Sequence, residues 1–235
     1  MNVPSLLSNS HPLVLPLASG DRLSRAEFER RYSAMPSNVW AELIEGQVHL
    51  TTSVAHTLHG KPHSRLGCWL GLYTVATPFT DCLNRVSLRL DADNEPQPDL
   101  MLLLDARCGG VTGVAADGFL EGAPELIAEV AMSSASLELH DKLRAYQCNG
   151  VQEYLVWRAD DQAVDWFHLV NESYVRLTPD RRGVLRSRLF PGLWLNTQAL
   201  LKDEGLKVTA TLEQGLASKE HAAFVRELKR RARRA

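Results

Sequence analysis

The sequence predicts an α/β (α+β) domain built on one mixed β-sheet with helices on its flanks. Three observations lead there. Short apolar strand patterns interleave with helical ones up to residue 150, three more strand patterns follow in meander spacing, and the composition is that of a globular protein. At 235 residues, 45% hydrophobic and 23% charged, the chain is large enough to bury a core without covalent staples.

The elements follow in order. Pro4, Pro12 and Pro16 make residues 1–20 an irregular arm. Asp21 or Ser24 caps a first helix that runs to about Met35. WAELIEGQVHLTT reads as two strands around a Glu45–Gly46 turn. Within 56–76 a helix is predicted to start near Pro62, with Leu66, Trp69, Leu70 and Tyr73 on one face. Strands are expected near 84–91 and 99–104, and the glycine-rich stretch 105–124 reads as a loop. ELIAEVAM is a compact strand pattern. The segment after it starts from a Ser cap and forms a helix over 136–148 with Leu139, Leu143 and Tyr146 on one side. VQEYLVWR, AVDWFHLV and SYVRLTP form the meander, FPGLWLNTQALL a turn and short helix, and 206–235 one amphipathic basic helix. The body of the domain is thus expected over 21–205.

Composition narrows the function classes. Cys68, Cys82, Cys108 and Cys148 form no CxxC pair, so neither a zinc ribbon nor a dithiol redox centre is indicated. The N-terminus lacks the pattern of a signal peptide and no apolar run reaches membrane-spanning length, so a cytoplasmic protein without a membrane partner is expected. No GxGxxG, Walker or GxSxG string is present. The net charge is −2, but residues 226–235 carry six Arg and Lys against Glu227, a local +5, so the rest sums to −7. The basic run is either a solvated helix end favoured by the helix dipole or a phosphate-contacting tail.

Two carboxylates stand out. Asp99 in PQPDLMLLL and Glu129 in PELIAEVAM each sit in or beside an apolar run, where an ionised group needs a partner. A hard divalent cation with oxygen ligands is one such partner. A strand-end carboxylate reaching water or a lysine is the simpler alternative.

ELIEG, a His-containing helix, PDL, ELIAEV, a Ser-rich turn, DKLRAY and GVQEYLVW occur in an order and spacing that resemble the Uma-two family of restriction endonucleases, within the PD-(D/E)xK nuclease superfamily. The resemblance spans roughly 38–200 and is most specific over Pro124–Trp157. It implies a restriction-endonuclease-like sheet and Mg²⁺- or Mn²⁺-dependent cleavage of DNA by a possible homodimer. Asp99 and Glu129, with the Val130 backbone carbonyl, would be the metal ligands. The sequence departs from (D/E)xK at its third position, which is Ala131, and the resemblance makes Lys142 the substitute. An exposed Glu138–Lys142 pair is the alternative for that lysine. Glu45 matches a further family glutamate, as a third acidic ligand or as a plain turn residue. His63, four residues after His59, is a secondary site candidate, although a helix start at Pro62 would separate the two. The Trp157–Trp166 region reads as core. The rival function is a non-catalytic binding or regulatory module on the nuclease fold, which Ala131 and the acidic body favour.

Overall fold

The computed structural model describes residues 14–51, 57–132 and 137–235. In chain order the elements are α1 (Arg25–Tyr32), β1 (Trp40–Ile44), β2 (Gln47–Thr51), α2 (Thr57–Ala76), β3 (Thr80–Leu83), β4 (Leu88–Arg89), β5 (Leu100–Leu104), β6 (Gly113–Val114), β7 (Leu120–Glu121) and β8 (Leu126–Ala131). After these come α3 (Lys142–Cys148), β9 (Glu153–Arg158), β10 (Ala163–Val170), β11 (Ser173–Arg176), β12 (Val184–Arg186), β13 (Trp194–Asn196), α4 (Thr197–Leu201), α5 (Gly205–Leu216) and α6 (Lys219–Ala232).

The main sheet has six strands in the order β11-β10-β9-β8-β5-β3. Only β8 and β9 run parallel; the other neighbours are antiparallel. The central strands β8 and β5 are apolar on both faces because both are covered. On one face α2 packs Leu66, Trp69, Leu70 and Tyr73 against Leu102, Leu126, Ala128 and Val130. On the other, Tyr146 of α3 joins Met101, Ile127, Ala131 and Tyr154. The mixed sheet flanked by helices is the predicted fold, with 99–104 and 125–131 adjacent as expected. Trp166 is fully buried and Trp157 nearly so, in the core as read from the sequence.

A β1–β2 hairpin stands beside this sheet and packs with α1 around Phe28, Leu43 and Val48. Its two turn residues, Glu45 (φ 49°) and Gly46 (φ 74°), are both left-handed, the geometry that suits a two-residue hairpin.

Four expectations need correction. Helix α2 starts at Thr57, not near Pro62, so the proline lies inside it. Pro62 withholds one N–H from the helix ladder, a cost offset by the apolar face that follows. The strand expected over 84–91 is not one strand. Arg85 has φ 49°, so β3 ends before it, and β4 leaves the main sheet to pair with β7. The stretch 105–124 is not wholly irregular, since β6 and β7 form a small sheet with β4. The expected helix over 206–235 is two: α5 ends at Leu216, and Ser218 caps α6 by accepting from His221 N–H. Both pack on their own domain, burying Leu212 and Leu228 with Leu216 and Phe224 against the same core. Much of the arm (1–13) and the Ser cap expected before α3 (within 133–136) lie outside the described residues.

Gly215 of α5 lies against the loop before β13, where a Cβ would fall 2.2 Å from the Gly192 carbonyl oxygen. Only backbone fits between α5 and that loop.

Glu95 joins the hairpin to the body. Its N–H and C=O bond the backbone of Leu43 at 2.8 and 3.1 Å. Its side chain is buried, and among the described residues neither carboxylate oxygen has a hydrogen-bond partner. Burial, with Glu29 beside it, raises this carboxyl from 4.5 to about 8. The folded state therefore keeps a proton that the unfolded chain releases. This contribution to stability is complete below pH 4.5 and is lost as the pH rises toward 8. Glu95→Gln, which keeps the shape without the charge, is expected to add roughly 1–3 kcal/mol at pH 8 and much less at pH 5. Urea unfolding at both pH values checks this, and an equal shift at each would contradict it.

Candidate active site

Side-chain alternation along β8 sets the site. Ile127, Glu129 and Ala131 share the face toward α3, while Leu126, Ala128 and Val130 face α2. Ala131 is too short to carry a charge, and α3 supplies one. One turn of π-helix, Leu137–Asp141, leads into α3, and Lys142 is the first residue of that helix. Its Nζ lies 2.9 Å from Glu129 Oε1 and 2.9 Å from Glu42 Oε1. Lys142 is 4% exposed and Glu129 3%, so the exposed Glu138–Lys142 pair is not what forms. Tyr146, one turn further along α3, donates its hydroxyl to Glu129 Oε1 at 2.9 Å.

Asp99 immediately precedes β5. Its own N–H donates to Glu129 Oε2 at 3.1 Å, and its Oδ2 accepts from Val130 N–H at 2.9 Å. From α2, His59 Nε2 lies 3.0 Å from the same Oδ2, and His63 Nε2 lies 3.1 Å from the Asp99 carbonyl oxygen. The two imidazoles stack with centroids 5.9 Å apart, because the early start of α2 puts them one turn apart on one face. Among the described residues, Asp99 Oδ1 has Arg85 as its charged neighbour, at 3.7 Å and half exposed at the rim.

Strand geometry also orients the Val130 carbonyl. A residue's N–H and C=O point to the same edge of a strand. Ala131 C=O accepts from Ala159 N–H on the β9 side, and Val130 N–H points to Asp99, so the Val130 carbonyl faces the Asp99 edge.

Asp99, Glu129 and Lys142 are thus brought together, with His63 beside them. Glu45 is not among them. It lies past the end of β1 in the left-handed turn, and its carboxylate takes two bonds from Arg144 on the exposed side of α3. The glutamate that reaches the cluster is Glu42, three residues earlier and inside β1; its Oε1 also accepts from Gln97 N–H at 2.7 Å. The signal for Glu42 was present in the sequence: it too is an acid inside an apolar strand, WAELI. In the sequence Tyr146 belongs to an apolar helical face, and Pro62 separates His59 from the predicted helix.

The electrostatics follow from burial. Burial alone would lower the Lys142 ammonium, but Glu129 and Glu42 reverse that and hold it well above its ordinary value, so it stays charged. Burial pushes the Glu129 carboxyl up against the pull of Lys142, and Asp99 and Glu42 add to the rise. Burial opposes ionisation of Asp99 too, but the His59 hydrogen bond, His59 charge and Val130 N–H outweigh it and hold it below its ordinary value. Two buried carboxylates, Glu129 and Glu42, therefore share one buried ammonium, and a third, Asp99, lies beside them with His59 and Arg85 next to it.

Among the described residues no three His, Cys, Asp or Glu side chains form a ready metal cluster. The donors that do converge are the Asp99 and Glu129 carboxylates and the Val130 carbonyl. This all-oxygen set suits a hard divalent cation, and the excess of acid over ammonium is of the sign such an ion offsets.

A family model for Uma2, described as "Putative restriction endonuclease", matches residues 25–198. No curated protein matches the chain. Among solved structures, the chain is similar to a putative nuclease of the DUF820 group from Anabaena variabilis ATCC 29413. The TM-score is 0.56 at 14% identity, with 74% of this chain and 96% of that one covered. No helix among the described residues is long and apolar enough to cross a membrane.

Lys142→Met would leave Glu129 and Glu42 buried without their cation. It is expected to cost roughly 3–5 kcal/mol at pH 8. The cost should be smaller at pH 5, where the stranded carboxylates take up protons, and Glu129→Gln in the same chain should recover part of it. Denaturant unfolding of the wild type and the two variants checks this; a loss below 1 kcal/mol at pH 8 would mean that the pair is not buried as described.

Proposed function

We propose that this chain, which belongs to the Uma2 restriction endonuclease family, is a divalent-metal-dependent nuclease that hydrolyses phosphodiester bonds in DNA. The family supports a nuclease function. The observation that carries the finer reading is the convergence of the Asp99 and Glu129 carboxylates with the Val130 carbonyl beside a single buried ammonium.

Asp99, Glu129 and the Val130 carbonyl would hold Mg²⁺ or Mn²⁺. Such an ion polarises a phosphoryl oxygen and lowers the pKa of bound water. The chain's own residues do the rest. Lys142 stays protonated, so it offsets negative charge at the reacting phosphate and does not serve as a base. Glu42 and Tyr146 fix Lys142 and Glu129 in place. His59 steadies Asp99 through Oδ2, and Oδ1 faces the half-exposed Arg85 at the rim. His63 holds the Asp99 backbone and so the start of β5.

Ala131 was the reason to consider a non-catalytic module. Lys142 Nζ beside Glu129 supports the active reading, since it supplies the amine by another route. A dimer with two sites would suit cleavage of both strands. The C-terminal segment has Leu212, Leu216, Phe224, Val225 and Leu228 as apolar positions for an interface, but Leu212, Leu216 and Phe224 pack on the chain's own core and Leu228 is buried, so an interface would use another surface.

Supercoiled plasmid and single-stranded DNA incubated with protein and Mn²⁺ should be cleaved, and Glu129→Gln should slow cleavage by roughly 100-fold or more. Calorimetric Mn²⁺ titration should show binding by the wild type that Asp99→Ala loses. Cleavage that survives Glu129→Gln, or equal Mn²⁺ binding by both proteins, would overturn the assignment.

A further inference from the structure

Helix α6 lies beyond the family-matched residues and has two unlike faces. The apolar face is anchored. Leu228 is buried, Phe224 meets Phe190 edge-on at 6.4 Å, and Arg231 Nη1 donates to the Cys108 carbonyl at 3.0 Å. At the start of the helix His221 Nε2 lies 2.9 Å from Thr77 Oγ1. The other face is basic and exposed: Arg226, Lys229, Arg230, Arg233 and Arg234 line one shallow groove. By helix geometry Arg226, Lys229 and Arg230 share an arc of about 100°, and Arg233 and Arg234 follow in the turn that ends the helix.

Glu227 pairs with Arg230 and Arg231. Among the described residues, Arg226, Lys229, Arg233 and Arg234 have no carboxylate within ion-pair distance. Like charges three and four residues apart destabilise a helix. The free protein carries that repulsion, and a line of anions would relieve it.

We propose that this face of α6 binds the phosphate backbone of nucleic acid, as a second contact separate from the candidate active site. The choice of nucleic acid rests on the nuclease reading and on two further observations. The body of the chain sums to −7, so its net charge opposes a polyanion, and residues 226–235 supply +5 in one place. The apolar face of α6 is already packed against the domain, so it cannot enter a bilayer interface as an amphipathic membrane helix does.

The separation follows from α2. His59 near its start bonds Asp99, and Thr77 just past its end meets α6. Eighteen helical residues between them span about 27 Å, or roughly eight base pairs of duplex. That distance is to the start of α6; farther along, Arg231 bonds Cys108, past the opposite end of β5 from Asp99, so the stripe too lies away from the candidate active site.

The test is fluorescence anisotropy with a 24-base-pair duplex in EDTA, which withholds the metal so that cleavage does not interfere. Three full-length proteins are titrated at several salt concentrations. They are the wild type, the variant Arg226→Gln/Lys229→Gln/Arg233→Gln/Arg234→Gln, and a control with the same charge change elsewhere, Arg181→Gln/Arg182→Gln/Arg188→Gln/Lys202→Gln. The α6 variant should bind more weakly and lose about 3–4 from the slope of log K against log salt, and the control should keep the wild-type slope. Equal slopes for wild type and α6 variant would overturn the proposal. So would an equal loss in the control, or tighter wild-type binding to phosphatidylserine vesicles than to DNA at the same salt. Plasmid cleavage with Mn²⁺, run in parallel, separates the two readings: stripe-dependent binding without cleavage sinks the nuclease function alone, and cleavage with stripe-independent binding sinks the α6 contact alone.

Discussion

The buried ammonium of Lys142 is the interaction on which the rest of this architecture turns. It joins three pieces of chain that share no sheet: Glu42 in the hairpin, Glu129 in the central strand β8, and α3 itself. Burying the pair is expensive, and a well-packed apolar substitute would often be as stable. Its value is therefore positional. An ammonium that must satisfy two carboxylates at 2.9 Å allows little freedom to the hairpin or to α3, and it fixes where Glu129 points.

Around that lysine, backbone and side chain complete one another. Asp99 N–H holds Glu129, Val130 N–H holds Asp99, and the two histidines of α2 hold Asp99 from the opposite layer. The carboxylates are thus held in fixed orientations, which would lower the entropy lost on binding a cation. The antiparallel β5–β8 pairing stops at Leu100↔Ala128, and the freed edge beyond it is where this chemistry is placed.

Much of this was legible in the sequence, for identifiable reasons. Asp99 and Glu129 announce themselves because a charge in an apolar strand has to be explained, and Ala131 points to a lysine from elsewhere. The hairpin, β5, β8 and the meander show in alternation and turn residues. Glu42 was missed although it obeys the same rule as Glu129, because the turn glutamate Glu45 matched the family pattern by proximity. Three residues along a strand reverse the face, so the two cannot substitute for one another. His59 was discounted because Pro62 is a common helix start; tertiary packing carried α2 through it. The divided C-terminal helix was hidden because α5 and α6 have one continuous apolar pattern, and only the Ser218 cap separates them.

The close approach of Gly192 and Gly215 bears on where this domain ends. Gly192 lies within the stretch that the family shares, and Gly215 lies beyond it. The loop carrying Gly192 has left space for a bare helix backbone, and α5 in turn covers Trp69, Trp194 and Leu200 beneath it. A chain cut at the family boundary would leave that seam open to water. The family-matched stretch is accordingly not the whole packing unit: its tertiary structure is finished by α5, which lies past the matched residues.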